Sequence, residues 1–174
     1  MGKDMNMKKI LFPAVLLLVG CAGIPKGIRP VQNFELDRYL GKWYEIARLD
    51  HSFERGLERV SAEYNLREKG GIRVLNRGYQ REKGEWKEAE GRAYFTGPSD
   101  VGRLKVSFFR PFYGGYNIIE LDPDYTFAIV CGGSRKYLWI LSREPEMEES
   151  LYESLVKKAK ALDFPTEDLI RVRH

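Results

Sequence analysis

Few side chains here can do covalent or acid–base chemistry: the 174-residue sequence holds two histidines, His51 and His174, and two cysteines, Cys21 and Cys131. A hydrolytic set needs a nucleophile, a base and an orienting acid on elements that converge, and no Ser, Asp and His trio is spaced to do so. Neither histidine has a metal-ligand neighbour at usable spacing, and two distant cysteines make no zinc pattern. Cys131, in a strand-like run near a turn, is either a nucleophile or, as single strand cysteines more often are, an inert small hydrophobe. Cys21 stands apart because of what precedes it. Lys8 and Lys9, an apolar run from Ile10 to Val19 and then Gly20 have the layout of a secretory signal. The run is too short to span a bilayer. The chemistry on offer is modification of one thiol and non-covalent binding, with no enzymatic activity, metal or cofactor expected.

Leu18-Val19-Gly20-Cys21 resembles the lipobox of bacterial lipoproteins. That resemblance implies cleavage before Cys21 and acylation of its thiol and of the new amino terminus. One acyl chain anchors only marginally, whereas two or more hold. Ala22 in place of Asp implies sorting to the outer membrane of a Gram-negative bacterium, on its periplasmic face. Residues 1–20 then form the signal, 21–31 a tether with Pro25, Gly27 and Pro30, and 32–174 one domain with a sizeable core. Without residues 1–20 the formal charge falls from +4 to +2, so the basic composition is no argument for nucleic acid.

The elements that must position any site are short strands cut by turn signals at even spacing. Eight are read: 43–51, 59–67, 71–80, 85–95, 103–109, 116–121, 125–131 and 137–142. Connections such as Glu68-Lys69-Gly70-Gly71 and Asp122-Pro123-Asp124 are hairpin-sized, so consecutive strands are expected to pair antiparallel in an up-and-down meander. Closure removes its edges, and an eight-stranded barrel is just wide enough for one small ligand. Period-2 rows give the interior: Ile72, Val74 and Asn76; Leu104, Val106 and Phe108; Trp139 and Leu141. After Arg143 the period becomes helical. Pro145 fits a first helical position, Met147, Leu151, Leu155, Ala159 and Leu162 form one apolar stripe, and Phe164-Pro165 stops it. Such a helix must lie on the outer wall, followed by a short final strand over 169–173.

Gly41-Lys42-Trp43, Asp122-Pro123-Asp124-Tyr125 and Arg143 are three ordered motifs, and with them the chain resembles the bacterial lipocalins of the outer-membrane lipoprotein type, related to apolipoprotein D. The fold implied is all-β, an eight-stranded antiparallel calyx with a C-terminal α-helix outside. In a meander Gly41, Trp43, Asp124 and Arg143 fall at one end, where Trp43 and the segment 34–40 would plug the barrel. A guanidinium over the indole there is worth about 0.5 to 2 kcal/mol. The resemblance carries ligand contacts onto Tyr64, Asn76, Phe108, Trp139 and Leu141. Asn76 is either a wall residue's hydrogen-bond partner or a ligand contact.

The opposite end is then the mouth, built from 52–58, 81–84, 110–115 and 132–136. Arg110, Phe112, Tyr113, Arg135 and Lys136 form its expected rim. Phe112 and Tyr113 either meet a membrane, partner or ligand, or fold down on the rim. A mildly positive rim over an apolar cavity suits an anionic head on an acyl tail, so a fatty acid or lysophospholipid is the expected ligand. The alternative is a scaffold lipoprotein whose barrel is filled by its own side chains. A homodimer is left open.

Overall fold

The structure is a computed structural model, and it describes residues 23–174. The signal segment and Cys21 lie outside the described residues. Eight strands, β1 (Gly41–Leu49), β2 (Leu57–Leu66), β3 (Ile72–Gln80), β4 (Glu85–Phe95), β5 (Arg103–Phe109), β6 (Phe112–Leu121), β7 (Phe127–Cys131) and β8 (Leu138–Ser142), pair antiparallel in sequence order, and β1 pairs with both β8 and β2 to close the ring. A short helix, α1 (Leu36–Tyr39), precedes the barrel; α2 (Glu149–Ala161) and β9 (Leu169–Arg171) follow it. Among the described residues no helix is long and apolar enough to cross a membrane.

Two side-chain layers result from strand alternation. Trp43, Tyr64, Ile72, Val74, Ala93, Leu104, Ile118, Val130 and Leu141 point into the barrel. Ile46, Ala47, Ile129, Cys131, Leu138 and Ile140 point out and meet Leu155, Ala159 and Phe164 of the helical segment. The stripe read from sequence is the face that packs. The helix begins at Glu149 rather than near Pro145, because Glu148 is still extended (φ −55°, ψ 134°) as the chain leaves the base of β8. β6 begins at Phe112 rather than Tyr116: Phe109 pairs with Phe112, so Arg110-Pro111 is the entire turn.

Strand β1 changes partners along its length. Gly41 to Tyr44 pair with β2, a bulge falls between Glu45 and Ala47, and Ala47 to Leu49 pair with β9 on the same edge. The stretch expected as a tether is fastened to the wall. Val31 N–H donates to the Ile118 carbonyl (2.9 Å), Asn117 Nδ2 donates to the Gly23 carbonyl (3.1 Å), and Ile28 is buried.

Candidate functional site

The barrel's closed end is filled and paired. Trp43 is fully buried, its Nε1–H donates to the Tyr39 carbonyl (2.8 Å), and the Arg143 guanidinium lies 4.0 Å from its ring centroid. Arg143 also donates to the carbonyls of Arg38, Leu40, Lys42 and Tyr125 at 2.7 to 3.2 Å, so one side chain ties α1, β1 and the β6–β7 turn together. Gly41 has φ +89°, a conformation L side chains rarely adopt, which is why a glycine opens β1. Asp124 does not join this cluster. It is exposed, and the acid that builds the turn is Asp122, whose Oδ2 accepts from the Asp124 and Thr126 N–H groups and from the Thr126 hydroxyl. Four carbonyl oxygens, not a carboxylate, satisfy Arg143.

Just above sits a chain of three phenols: the Tyr116 hydroxyl is 2.6 Å from that of Tyr39 and 2.7 Å from that of Tyr64. Burial raises the pKa of all three, so they remain neutral hydrogen-bonding groups. Tyr64 lines the interior as expected, but its hydroxyl is already occupied. Sequence reading did not find Tyr39 or Tyr116, because nothing in either segment marks two tyrosines from distant strands as meeting a third.

Mid-barrel, the inward row is Ala62, Asn76 and Ala89 across β2, β3 and β4, joined by Val106, Tyr116 and Trp139 from the other walls. Ala62, Asn76, Val106, Tyr116 and Trp139 are only partly buried although their strands turn them inward, so solvent reaches the interior. Asn76 Oδ1 is buried with no hydrogen-bond partner. Of the two readings of Asn76, an acceptor serving the wall is not what the geometry places here.

The upper wall carries charge that strict alternation hides. The bulge between Glu45 and Ala47 lets Glu45 stand opposite Leu141 and Arg48 opposite Trp139, so both side chains point inward. They form a buried ion pair, Arg48 Nη1 to Glu45 Oε1 at 2.7 Å, while Arg48 Nη2 donates to the carbonyls of Glu54 (2.9 Å) and Leu57 (3.2 Å). The β1–β2 loop is thereby pinned over the mouth. Glu54 turns in beneath it, with Oε2 accepting from Trp139 Nε1–H (3.1 Å) and lying 3.0 Å from His51 Nε2 without hydrogen-bond alignment. His51 in turn stacks on Phe53, their ring centroids 3.9 Å apart. Arg55 pairs with exposed Asp50 at 2.6 Å. Burial drives Glu45 well above the ordinary carboxylate range, helped by the Glu54 carboxylate and opposed by Arg48. Burial also pushes Glu54 upward, but His51, Trp139 and Arg48 outweigh it and hold Glu54 below its usual value. Two acids sharing one site have been driven apart.

The remaining expected ligand contacts and rim residues scatter. Leu141 is buried low in the barrel, and Phe108 is 41% exposed beside Gly91, where a Cβ would come within 2.9 Å of its ring. Tyr113 lies on the outer wall, under Lys105 (4.9 Å) and near Tyr94, and Phe112 is half-buried in β6. Arg135 is no rim charge: it donates to the Leu162 and Lys26 carbonyls, tying the end of α2 to the N-terminal segment. Arg110 and Lys136 are exposed, and the apolar side chains standing out at the mouth are Phe53 (61%) and Phe109 (75%). Cys131 faces α2 rather than the calyx, and burial pushes its thiol up to about 12, which leaves no reactive thiolate. Among the described residues no His, Cys, Asp and Glu cluster could hold a metal ion.

Comparison with known proteins agrees with this architecture. The Lipocalin-like domain model matches residues 34–174. The chain is 57% identical to Outer membrane lipoprotein Blc of Vibrio cholerae over 159 residues, 91% of this chain and 93% of that protein. It is 50% identical to the Escherichia coli protein of the same name over 162 residues, 92% of each. Rat apolipoprotein D is 37% identical over 125 residues, 67% of this chain and 65% of that protein. Among solved structures, insecticyanin from the tobacco hornworm superposes with a TM-score of 0.68 at 20% identity, covering 87% of each chain, which bears on the fold alone. Closed barrel, plugged base, external helix and family match together make this chain a member of the lipocalin family.

Proposed function

We propose that this protein is a lipid-anchored carrier of single acyl lipids, fatty acids or lysophospholipids, held at the periplasmic face of the outer membrane by acylated Cys21. Lipocalins bind rather than transform. The observation that carries the reading is the half-buried inward row at mid-barrel, apolar except for Asn76, above a base in which Arg143, the Trp43 N–H and three tyrosine hydroxyls are all hydrogen-bonded to one another or to backbone carbonyls. An alkyl chain asks nothing of that wall except contact. Each buried methylene is worth about 0.8 kcal/mol, so a chain of about sixteen carbons supplies on the order of 12 kcal/mol before ordering and association costs. The names of the bacterial relatives, outer membrane lipoproteins, support the anchor and its location.

Native mass spectrometry of the protein taken from membranes, before and after delipidation, tests the reading. A co-purifying acyl lipid that delipidation removes is the expected result. Titration with saturated acids of increasing length then gives affinity rising by roughly 0.8 kcal/mol per carbon until the cavity is full. No saturable binding, or a flat length profile, would transfer the assignment to a scaffold lipoprotein with a filled barrel.

A further inference from the structure

The barrel wall parts in its upper half at two places, and the two are treated differently. Between β1 and β2 the ladder ends at Tyr44, but β9 pairs with Ala47 to Leu49, and Arg59 N–H donates to the Arg173 carbonyl at 2.6 Å. The C-terminal segment bridges that gap. Between β4 and β5 the ladder runs only from Phe95↔Leu104 to Arg92↔Ser107, although β4 continues upward to Glu85, still paired with β3 along its other edge. Among the described residues nothing pairs with β4 above Arg92 on the β5 side. The β5–β6 hairpin turns at Arg110-Pro111, so the β3–β4 hairpin stands above it and the mouth slopes down into a notch on this side.

The notch opens on the calyx. Lys87 and Ala89 stand opposite Gly78 and Asn76, on the inward face, yet every residue from Arg81 to Glu90 is exposed. The sill is Phe108 and Phe109, 41% and 75% exposed, where a solvated turn would carry polar groups. Gly91 is the seat on which the Phe108 ring rests: a Cβ there would lie 2.8 Å from the ring and 2.9 Å from the Ser107 carbonyl.

We propose that acyl chains enter and leave the calyx sideways through the parting between β4 and β5, with the Phe108 ring seated on Gly91 as its gate. This rests on the acyl-carrier reading above. A chain sliding between unpaired strand edges crosses no ladder and breaks no backbone hydrogen bond, whereas passage over the top must displace the β1–β2 loop that Arg48 holds. Lys87 on one side and Arg110 on the other flank the path with positive charge for an anionic head, Lys87 being shared with Glu85 at 2.6 Å.

Stopped-flow exchange of cis-parinaric acid, a fluorescent long-chain acid, measures the gate. Phe108→Ala is expected to raise the association rate constant by about tenfold together with the dissociation rate constant, whereas loss of a wall contact alone would raise dissociation only. Gly91→Ala, which unseats the ring, moves both rates in the same direction. Extending the β4–β5 register places position 90 across from position 109, so Glu90→Cys with Phe109→Cys staples the notch. Oxidation is expected to slow exchange by about tenfold or more, and a reducing agent to restore it. Equal rates in the oxidised and reduced staple, or a Phe108→Ala effect confined to dissociation, would overturn the portal while leaving the calyx in place. Loss of saturable binding in the unaltered protein would instead overturn the carrier reading itself.

Discussion

The two halves of one barrel keep opposite accounts of their polar atoms. At the base Arg143, the Trp43 N–H and the three tyrosine hydroxyls all have partners. In the upper half Asn76 Oδ1, Arg48 Nε and both ring nitrogens of His51 are buried without hydrogen bonds; near the base so is Arg103 Nε, on the outward side of β5. A buried polar atom left unpaired costs about 1 to 3 kcal/mol, so a fold keeps several together only where something else is served. The base is built to be closed. The upper half is built to receive.

Breaking the base should cost most. Trp43→Ala is expected to lose about 4 kcal/mol and Arg143→Ala about 3 kcal/mol in urea denaturation, while Trp139→Ala, on a partly solvated wall, loses under about 2 kcal/mol. If Trp139→Ala proves as destabilising as Trp43→Ala, the division between a structural and a receiving half is wrong. Next comes the ion pair that crosses this division. Arg48→Met leaves Glu45 buried and alone, and should cost about 3 kcal/mol near neutral pH, with much of the loss recovered in the double variant with Glu45→Gln.

A smaller effect is a slope with pH. Glu45 has its folded pKa raised, so its contribution to stability is fully present below the unfolded carboxylate value and is lost as pH rises through the folded one. Glu54 has its folded pKa lowered, so its contribution is present above the unfolded value and is lost as pH falls through the folded one. Stability followed by urea denaturation should therefore decline as pH climbs above about 4.3, the unfolded glutamate value, and Glu45→Gln should flatten that decline. An unchanged profile in Glu45→Gln would show that the two carboxylates are not separated as described. Least of all is the family motif's own acid. Asp124→Ala should stay within about 0.5 kcal/mol of the parent, against about 1 kcal/mol for Asp122→Ala, which caps the turn.

The fold was legible because its signals are local and repeat. Period-2 rows and hairpin-sized turns placed all eight strands, and the stripe from Met147 to Leu162 identified the face of α2 that packs. In the site, Trp139 and Leu141 could be turned inward by parity alone, since β8 is regular from end to end. Glu45 and Arg48 could not. Three residues apart, they belong on opposite faces of an ideal strand, and only the bulge between them puts both inside. Glu54 was hidden for a related reason: a loop has no period, so its sequence does not say which side chain folds under. The expectation for Asp124 failed because an Asp-Pro-Asp turn offers two acids, and the choice between them depends on which N–H groups the backbone presents.

The change of partner along β1 has a consequence in time. The strand that opens the barrel is completed by Leu169 to Arg171, the last strand of the chain, so the contact that seals this seam joins residues separated by almost the whole domain. Such long-range closure is slow relative to local hairpins. The seam beside β1 therefore stays open until the final residues of the chain are in place, and every earlier hairpin forms in a barrel not yet sealed.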